Sequence, residues 1–136
     1  MSSYIPARLR RRVIERAENH CEYCLLSQAG QAATFHIDHV VPLKSGGVTE
    51  LDNLALACVS CSLHKSAKEI VIDPKSGKDV PIFNPRHDDW HEHFSWSGVY
   101  LTGLSPTGRG TIEALKMNRP LILAIREEEN LLGRHP

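Results

Sequence analysis

The chain has 136 residues, a size that fits one domain. Its 41% hydrophobic and 24% charged content is that of a packed globular protein, which excludes a disordered tail or a collagen-like repeat. Lys+Arg and Asp+Glu balance at 16 each, so no global positive field draws the chain to nucleic acid, and any such affinity must come from local charge.

No apolar run approaches the roughly 20 residues of a membrane span. The basic, amphipathic start, MSSYIPARLRRRVIERAENH, stands where a signal peptide needs an apolar core, so the expectation is a cytoplasmic chain with no membrane partner. Pro6 opens a predicted helix with Leu9, Val13, Ile14 and Ala17 at helical spacing, ending at Asn19. Cys21 and Cys24 follow, and after a gap of 33 residues come Cys58 and Cys61. In a reducing compartment two C-x-x-C pairs read as a tetrahedral Zn²⁺ site of four thiolates, in preference to two local disulfides or a redox motif. The gap exceeds the roughly 15–20 residues of a zinc ribbon, so something of substance sits between the pairs.

Residues 34–41, TFHIDHVV, are β-branched and aromatic and predict a strand that breaks at Pro42. KSGGVTE is a loop, LDNLALA a turn and second strand, and residues 62–70 a helix. VIDPKSGKDVPIF predicts a hairpin turning at Pro74–Gly77. In NPRHDDWHEHF, the cluster of His87, His91 and His93 with Asp88 and Asp89 is read as a polar surface helix packing Trp90 and Phe94 inward, rather than as a second metal site. WSGVYLTGL predicts a strand. A long helix over 107–132 closes the chain, with Thr107 as N-cap, Pro120 as a point of bending or interruption and Gly133 as the stop. The expected organisation is a single domain over 1–136, with a core at 20–70 and an extension at 71–136 that wraps it.

The chemistry lies between the cysteine pairs. Asp38 and His39, neighbours on a strand, point to opposite faces, so one can hold a metal while the other faces a substrate. A carboxylate suits Mg²⁺ or Mn²⁺, and a neutral imidazole is a base near pH 7. Asn53 can hydrogen-bond across the loop and fix the histidine, and the helix after Cys61 can supply a further ligand. Such a set suits phosphodiester hydrolysis.

C-E-Y-C, then F-H-I-D-H-V-V-P-L-K-S-G-G, then L-D-N-L-A-L-A-C-V-S-C-S-L-H-K resembles the zinc-knuckle branch of the HNH endonuclease family. The resemblance implies an α+β fold with a ββα-metal (His-Me finger) core, stapled by zinc on Cys21, Cys24, Cys58 and Cys61. His39 would be the general base, Asp38 a ligand of a catalytic divalent metal (Mg²⁺, Mn²⁺ or Ni²⁺), and Asn53 the residue that holds the loop. The products would carry a 5′-phosphate and a 3′-hydroxyl. For the third motif position Ser62 and His64 compete, and His64 is favoured because imidazole is the better ligand. His36, on the face of Asp38, is a further candidate. Lys65, Lys44 and Arg12 are the expected DNA contacts, Arg12 within a cluster that includes Arg8, Arg10, Arg11 and Arg16; Lys68 also flanks the site. The expected partner is DNA, bound by a monomer or homodimer. The rival readings are a zinc-stabilised nucleic-acid-binding module without catalysis and, with no special support, a zinc redox sensor.

Overall fold

A computed structural model describes residues 4–136 as a mixed α+β structure with three separate two-stranded antiparallel sheets. Helix α1 (Ala7–Arg16) buries Val13 completely and packs Leu9, Ile14 and Ala17 against the core, as its spacing predicts. Strands β1 (His36–His39) and β2 (Leu54–Ala57) pair with Asp38 opposite Ala55 and His39 opposite Leu54. Every residue of β2 is buried. Helix α2 (Val59–Lys65) follows directly, so β1, β2 and α2 form a ββα unit.

A two-stranded hairpin is marginal on its own, and each of the three here is covered by other elements. Strands β3 (Ile70–Ile72) and β4 (Asp79–Pro81) form the expected hairpin around Pro74–Gly77. The short helix α3 (Trp90–His93) buries Trp90 and leads into β5 (Phe94–Ser97), which pairs with β6 (Tyr100–Gly103). Helices α4 (Pro106–Ala114) and α5 (Pro120–Leu131) complete the chain. Trp90 Nε1 donates to Tyr23 O at 2.9 Å, and Arg86 pairs with Glu22, so the extension is anchored on the first cysteine loop.

Three elements differ most from the sequence reading. Helix α2 begins at Val59 rather than Ser62, because Cys58 acts as its N-cap, with Sγ accepting from Cys61 N at 3.4 Å. It ends at Lys65, where Ser66 takes φ 49°. WSGVYLTGL is a hairpin turning at Gly98, whose φ of 62° suits glycine, and not one strand. The last helix is two: Lys116 at φ 50° breaks it and Pro120 starts the second at the first-turn position where its missing N–H costs nothing. Ser105, not Thr107, caps α4 by accepting from Gly108 N at 2.9 Å.

The β3–β4 hairpin is tied to α4 by a fully buried carboxylate. Asp73 accepts from Arg109 Nε at 2.9 Å and Nη2 at 3.0 Å, from Lys75 N at 3.1 Å and from Ser76 Oγ at 2.8 Å. These donors, the Arg109 guanidinium first, hold the Asp73 carboxyl well below the usual carboxylate range. A depressed native pKa stabilises the fold above the unfolded value of about 4 and loses that contribution as pH falls toward the native one. Asp73→Asn should therefore melt below the unaltered protein at pH 7, and the two melting temperatures should converge below about pH 4. A gap that does not change with pH in thermal melts would show that the charge is not what stabilises the hairpin.

Candidate active site

Backbone alternation along β1 divides its four side chains between two faces: His36 and Asp38 on one, Ile37 and His39 on the other. Asp38, 9% exposed, points into the structure. The Tyr23 hydroxyl donates to its Oδ2 at 2.6 Å, and Lys65 Nζ lies 3.3 Å from Oδ1 and 3.2 Å from Oδ2. Lys65, fully buried, also donates to His39 O at 3.2 Å. Burial pushes the Asp38 pKa up and the lysine opposes the shift. Burial, followed by the charge of Asp38, pushes the Tyr23 phenol well up, so it stays a donor.

His39 takes the opposite face and is half-buried. Its Nε2 lies 2.9 Å from Thr49 Oγ1. Burial holds the imidazole below its ordinary value of 6.5, with Asp38 partly offsetting the shift, so the ring is neutral at pH 7. Asp38, His39, Lys44, Thr49, Ser62 and Ser66 border one open cleft of about 940 Å³.

The loop that carries Thr49 is closed by Asn53. This buried amide accepts from Val41 N at 2.9 Å and donates to Val41 O at 3.0 Å and Val48 O at 2.9 Å. Gly47 lies so close to Val41 that a Cβ would meet its carbonyl oxygen at 1.8 Å, which explains one glycine of the pair. Gly46 has φ 92°, which explains the other. Asn53→Ala removes three hydrogen bonds at roughly 1 kcal/mol each. It should lower unfolding free energy by about 1–3 kcal/mol in urea titrations and speed amide exchange at Val41; unaltered exchange there would mean that the loop closes without the amide.

The structure separates the two candidates for the third motif position. Ser62 borders the cleft, and its Oγ lies 2.9 Å from Nδ1 of the exposed His36. His64 stands on another side of α2, with Nδ1 2.8 Å from Ser60 O. It lines a separate, mainly apolar cavity of about 250 Å³ between the second cysteine pair and α5. Two helical positions differ by about 200° in direction, so bringing Ser62 to the cleft takes His64 away from it. His64 therefore does not meet Asp38.

Among the expected nucleic-acid contacts, Lys44 is exposed at the cleft and Arg12 is exposed on α1, outside the cleft lining. Lys65, expected at a phosphate, is instead buried, because Asp38 and the His39 carbonyl, both on β1, take its ammonium. Arg16 reaches the carbonyls of Leu51 and Leu54 and fixes α1 to the hairpin. Lys68 donates to His64 O at 2.7 Å. Tyr23 and Thr49 are the residues that the sequence reading did not single out. Each carries a hydroxyl beside a recognisable motif, Tyr23 between two cysteines and Thr49 two residues after the glycine pair, but only the fold brings them to Asp38 and His39.

Cys21, Cys24, Cys58 and Cys61 are buried free thiols whose sulfurs all lie within 4.8 Å of one another. Cys24 Sγ and Cys58 Sγ are 3.7 Å apart. Four sulfurs tetrahedrally placed around Zn²⁺ at about 2.3 Å are about 3.8 Å from one another, so the cluster is compatible with a zinc site. The Cys24 and Cys61 amides point at Cys21 Sγ (3.5 Å) and Cys58 Sγ (3.4 Å), so each pair closes a tight local turn. Among the described residues this is the one group of His, Cys, Asp or Glu drawn together for a metal in this way, and the residues at 87–93 form no second one. Cys58→Ser should cut bound zinc by half or more and sharply lower the melting temperature; an unchanged melting curve with zinc measured alongside would reject a stapling role.

No curated protein matches the chain. Residues 21–68 match the family model described as HNH endonuclease, a match that spans both cysteine pairs, the Asp38–His39 strand and α2.

Proposed function

We propose that the protein is a metal-dependent endonuclease that hydrolyses phosphodiester bonds in DNA. The observation that carries this reading is the cleft itself. A neutral imidazole and a carboxylate from adjacent strand positions border one open space, beside a loop clamped by Asn53, within the segment that matches a nuclease family.

In this reading His39 is the general base. Nε2 lies 2.9 Å from Thr49 Oγ1; the tautomer this role requires donates Nε2–H to that hydroxyl and leaves on Nδ1 the lone pair that takes a proton from the attacking water. Asp38, with Ser62 on the same cleft and His36 bonded to Ser62, would hold a divalent cation such as Mg²⁺, Mn²⁺ or Ni²⁺. An oxygen-rich set with one carboxylate and open positions suits such an ion. When bound, it would supply Lewis-acid stabilisation of the phosphate and of the leaving 3′-oxygen. Asn53 keeps the loop, and with it Thr49 and the ring of His39, in register. Lys44 at the cleft and Arg12 on α1 are the cations offered to the DNA backbone, which makes binding salt-dependent. The four cysteines hold Zn²⁺ in a structural role.

The competing reading, a binding module without catalysis, leaves the Asp38–His39 pair and its clamp without a task. Conversion of supercoiled plasmid to nicked or linear DNA separates the two. Cleavage is expected with Mg²⁺, Mn²⁺ or Ni²⁺ and none with EDTA. His39→Ala should slow it by about 10²–10⁴-fold while leaving zinc content and DNA retention on a gel unchanged. No cleavage under any of these metals, with DNA still retained, would favour the binding module.

A further inference from the structure

The electrostatic setting of Asp38 differs from what an isolated metal-binding carboxylate needs. Lys65 is fully buried, and its ammonium contacts both Asp38 oxygens and the His39 carbonyl. The carboxylate is thus ion-paired from behind before anything enters the cleft. Among the described residues bordering the cleft the charged ones are Asp38 and Lys44, which cancel. With Lys65 behind the carboxylate, the site is net positive.

A hard divalent cation sheds water only for well-placed anionic oxygens, and Mg²⁺-like ions commonly combine one or two carboxylates with substrate phosphates. Here the protein offers one carboxylate, and that one is already neutralised. A net positive cleft favours a phosphodiester over a free cation. The phosphate then brings the negative charge that the cation requires.

We propose that Lys65 makes divalent-metal binding at Asp38 depend on the substrate, so that DNA phosphate enters first and the cation is held only between that phosphate and Asp38. This rests on the nuclease reading above and adds an order of binding to it. Lys65 is a positioning residue here, acting through the charge and orientation of Asp38, and it touches neither the phosphate nor the water. The consequence is that the protein away from DNA carries no divalent cation at Asp38.

Mn²⁺ is the probe, with free Mn²⁺ read by electron paramagnetic resonance. The titration uses His39→Ala protein, which keeps a short DNA duplex uncut, with and without that duplex. The Asp38→Asn/His39→Ala double variant with the same duplex supplies the background of Mn²⁺ on DNA itself. The expected result is Asp38-dependent Mn²⁺ binding that is about tenfold or more tighter with duplex than without it. By linkage, Mn²⁺ should tighten duplex binding by the same factor. Lys65→Met in the same background should bind Mn²⁺ at Asp38 without DNA and narrow the gap, a gain that mere loosening of the fold does not produce. Equal Mn²⁺ affinity with and without duplex overturns the proposal, as does a folded Lys65→Met protein that leaves the gap unchanged. Breaking a buried ion pair can prevent folding, and in that case the comparison with and without duplex decides alone. Plasmid nicking by the unaltered protein with equal Mn²⁺ affinities would remove only the order of binding. No nicking, together with no Asp38-dependent Mn²⁺ even with duplex, would remove the nuclease reading.

Discussion

Four cysteine sulfurs drawn within 4.8 Å of one another are the constraint on which the rest of the molecule depends. The β1–β2 hairpin is two strands of four residues, too little to persist by its own ladder. Cys21 and Cys24 lie before it, and Cys58 and Cys61 stand where the chain leaves, so a metal shared by the four would close both ends on one another. Cys58 also caps α2. That cap sets where the helix begins, and its beginning sets which of its side chains meet the hairpin. Ser62 and Lys65, three positions apart and so on neighbouring faces, are brought to the hairpin from one side, while His64 is turned away. The fold also treats the cluster as a charged object. Arg126 is 2% exposed and has no carboxylate partner among the described residues; it is held by the carbonyls of Val99 and Met117, by Asn118 and by the face of Trp96 at 5.1 Å. Burial lowers its pKa and the thiolates raise it. Four thiolates around Zn²⁺ would leave two negative charges, which would make a cation tolerable in that place.

The Asp38–Lys65 pair presents the opposite problem. Removing two charges from water costs several kcal/mol per ion, and attraction alone rarely repays it in full. Here the remaining donors and acceptors are used: Tyr23 covers Oδ2, and the ammonium takes the His39 carbonyl as an additional acceptor. The pair is therefore satisfied without being a source of stability, and its value lies in specifying geometry. It pins both members of an Asp–His dipeptide, one by its side chain and one by its backbone.

The elements that were legible in the sequence are those set by local chemistry. Helical spacing of Leu9, Val13 and Ile14 gave α1, the β-branched run broken by Pro42 gave β1, and the cysteine spacing gave the metal cluster. Motif order also picked out Asp38, His39 and Asn53, and the structure places Asp38 and His39 at one cleft with Asn53 closing its loop. What was not legible depends on phase or on distant partners. Whether Ser62 or His64 meets the cleft turns on where α2 begins, and a cysteine cap shifted that start by three residues. Lys65 looked like a surface cation because a lysine normally is one. Only the arrival of Asp38 from 27 residues away makes its burial affordable. Pro120 marked the interruption of the last helix, and α5 starts there, but the earlier end of α4 at Ala114 turns on Lys116 at a positive φ, for which the sequence carries no distinct signal.

The extension after residue 70 is structurally coupled to the site without supplying a residue to its cleft. Trp90 Nε1 holds the Tyr23 carbonyl, and the Tyr23 hydroxyl holds Asp38. Phe83 packs edge-on to Tyr23 from the other side, with ring centroids 6.4 Å apart. A phenol that must reach a buried carboxylate at 2.6 Å has little freedom in its ring plane, so the aromatic cluster of Phe83, Trp90 and Phe94 sets the angle at which Asp38 is presented. The first cysteine loop is thus held on both sides, by the four-cysteine cluster through Cys21 and Cys24 and by aromatic packing on the residue between them. Loss of either restraint would leave Asp38 with the lysine alone. A single ammonium is a point charge that accepts many approach directions, whereas the phenol and the ammonium together admit one orientation of the carboxylate. That is the physical reason for a tyrosine inside a cysteine knuckle: the four-cysteine cluster and the acidic residue of the cleft become parts of one rigid unit.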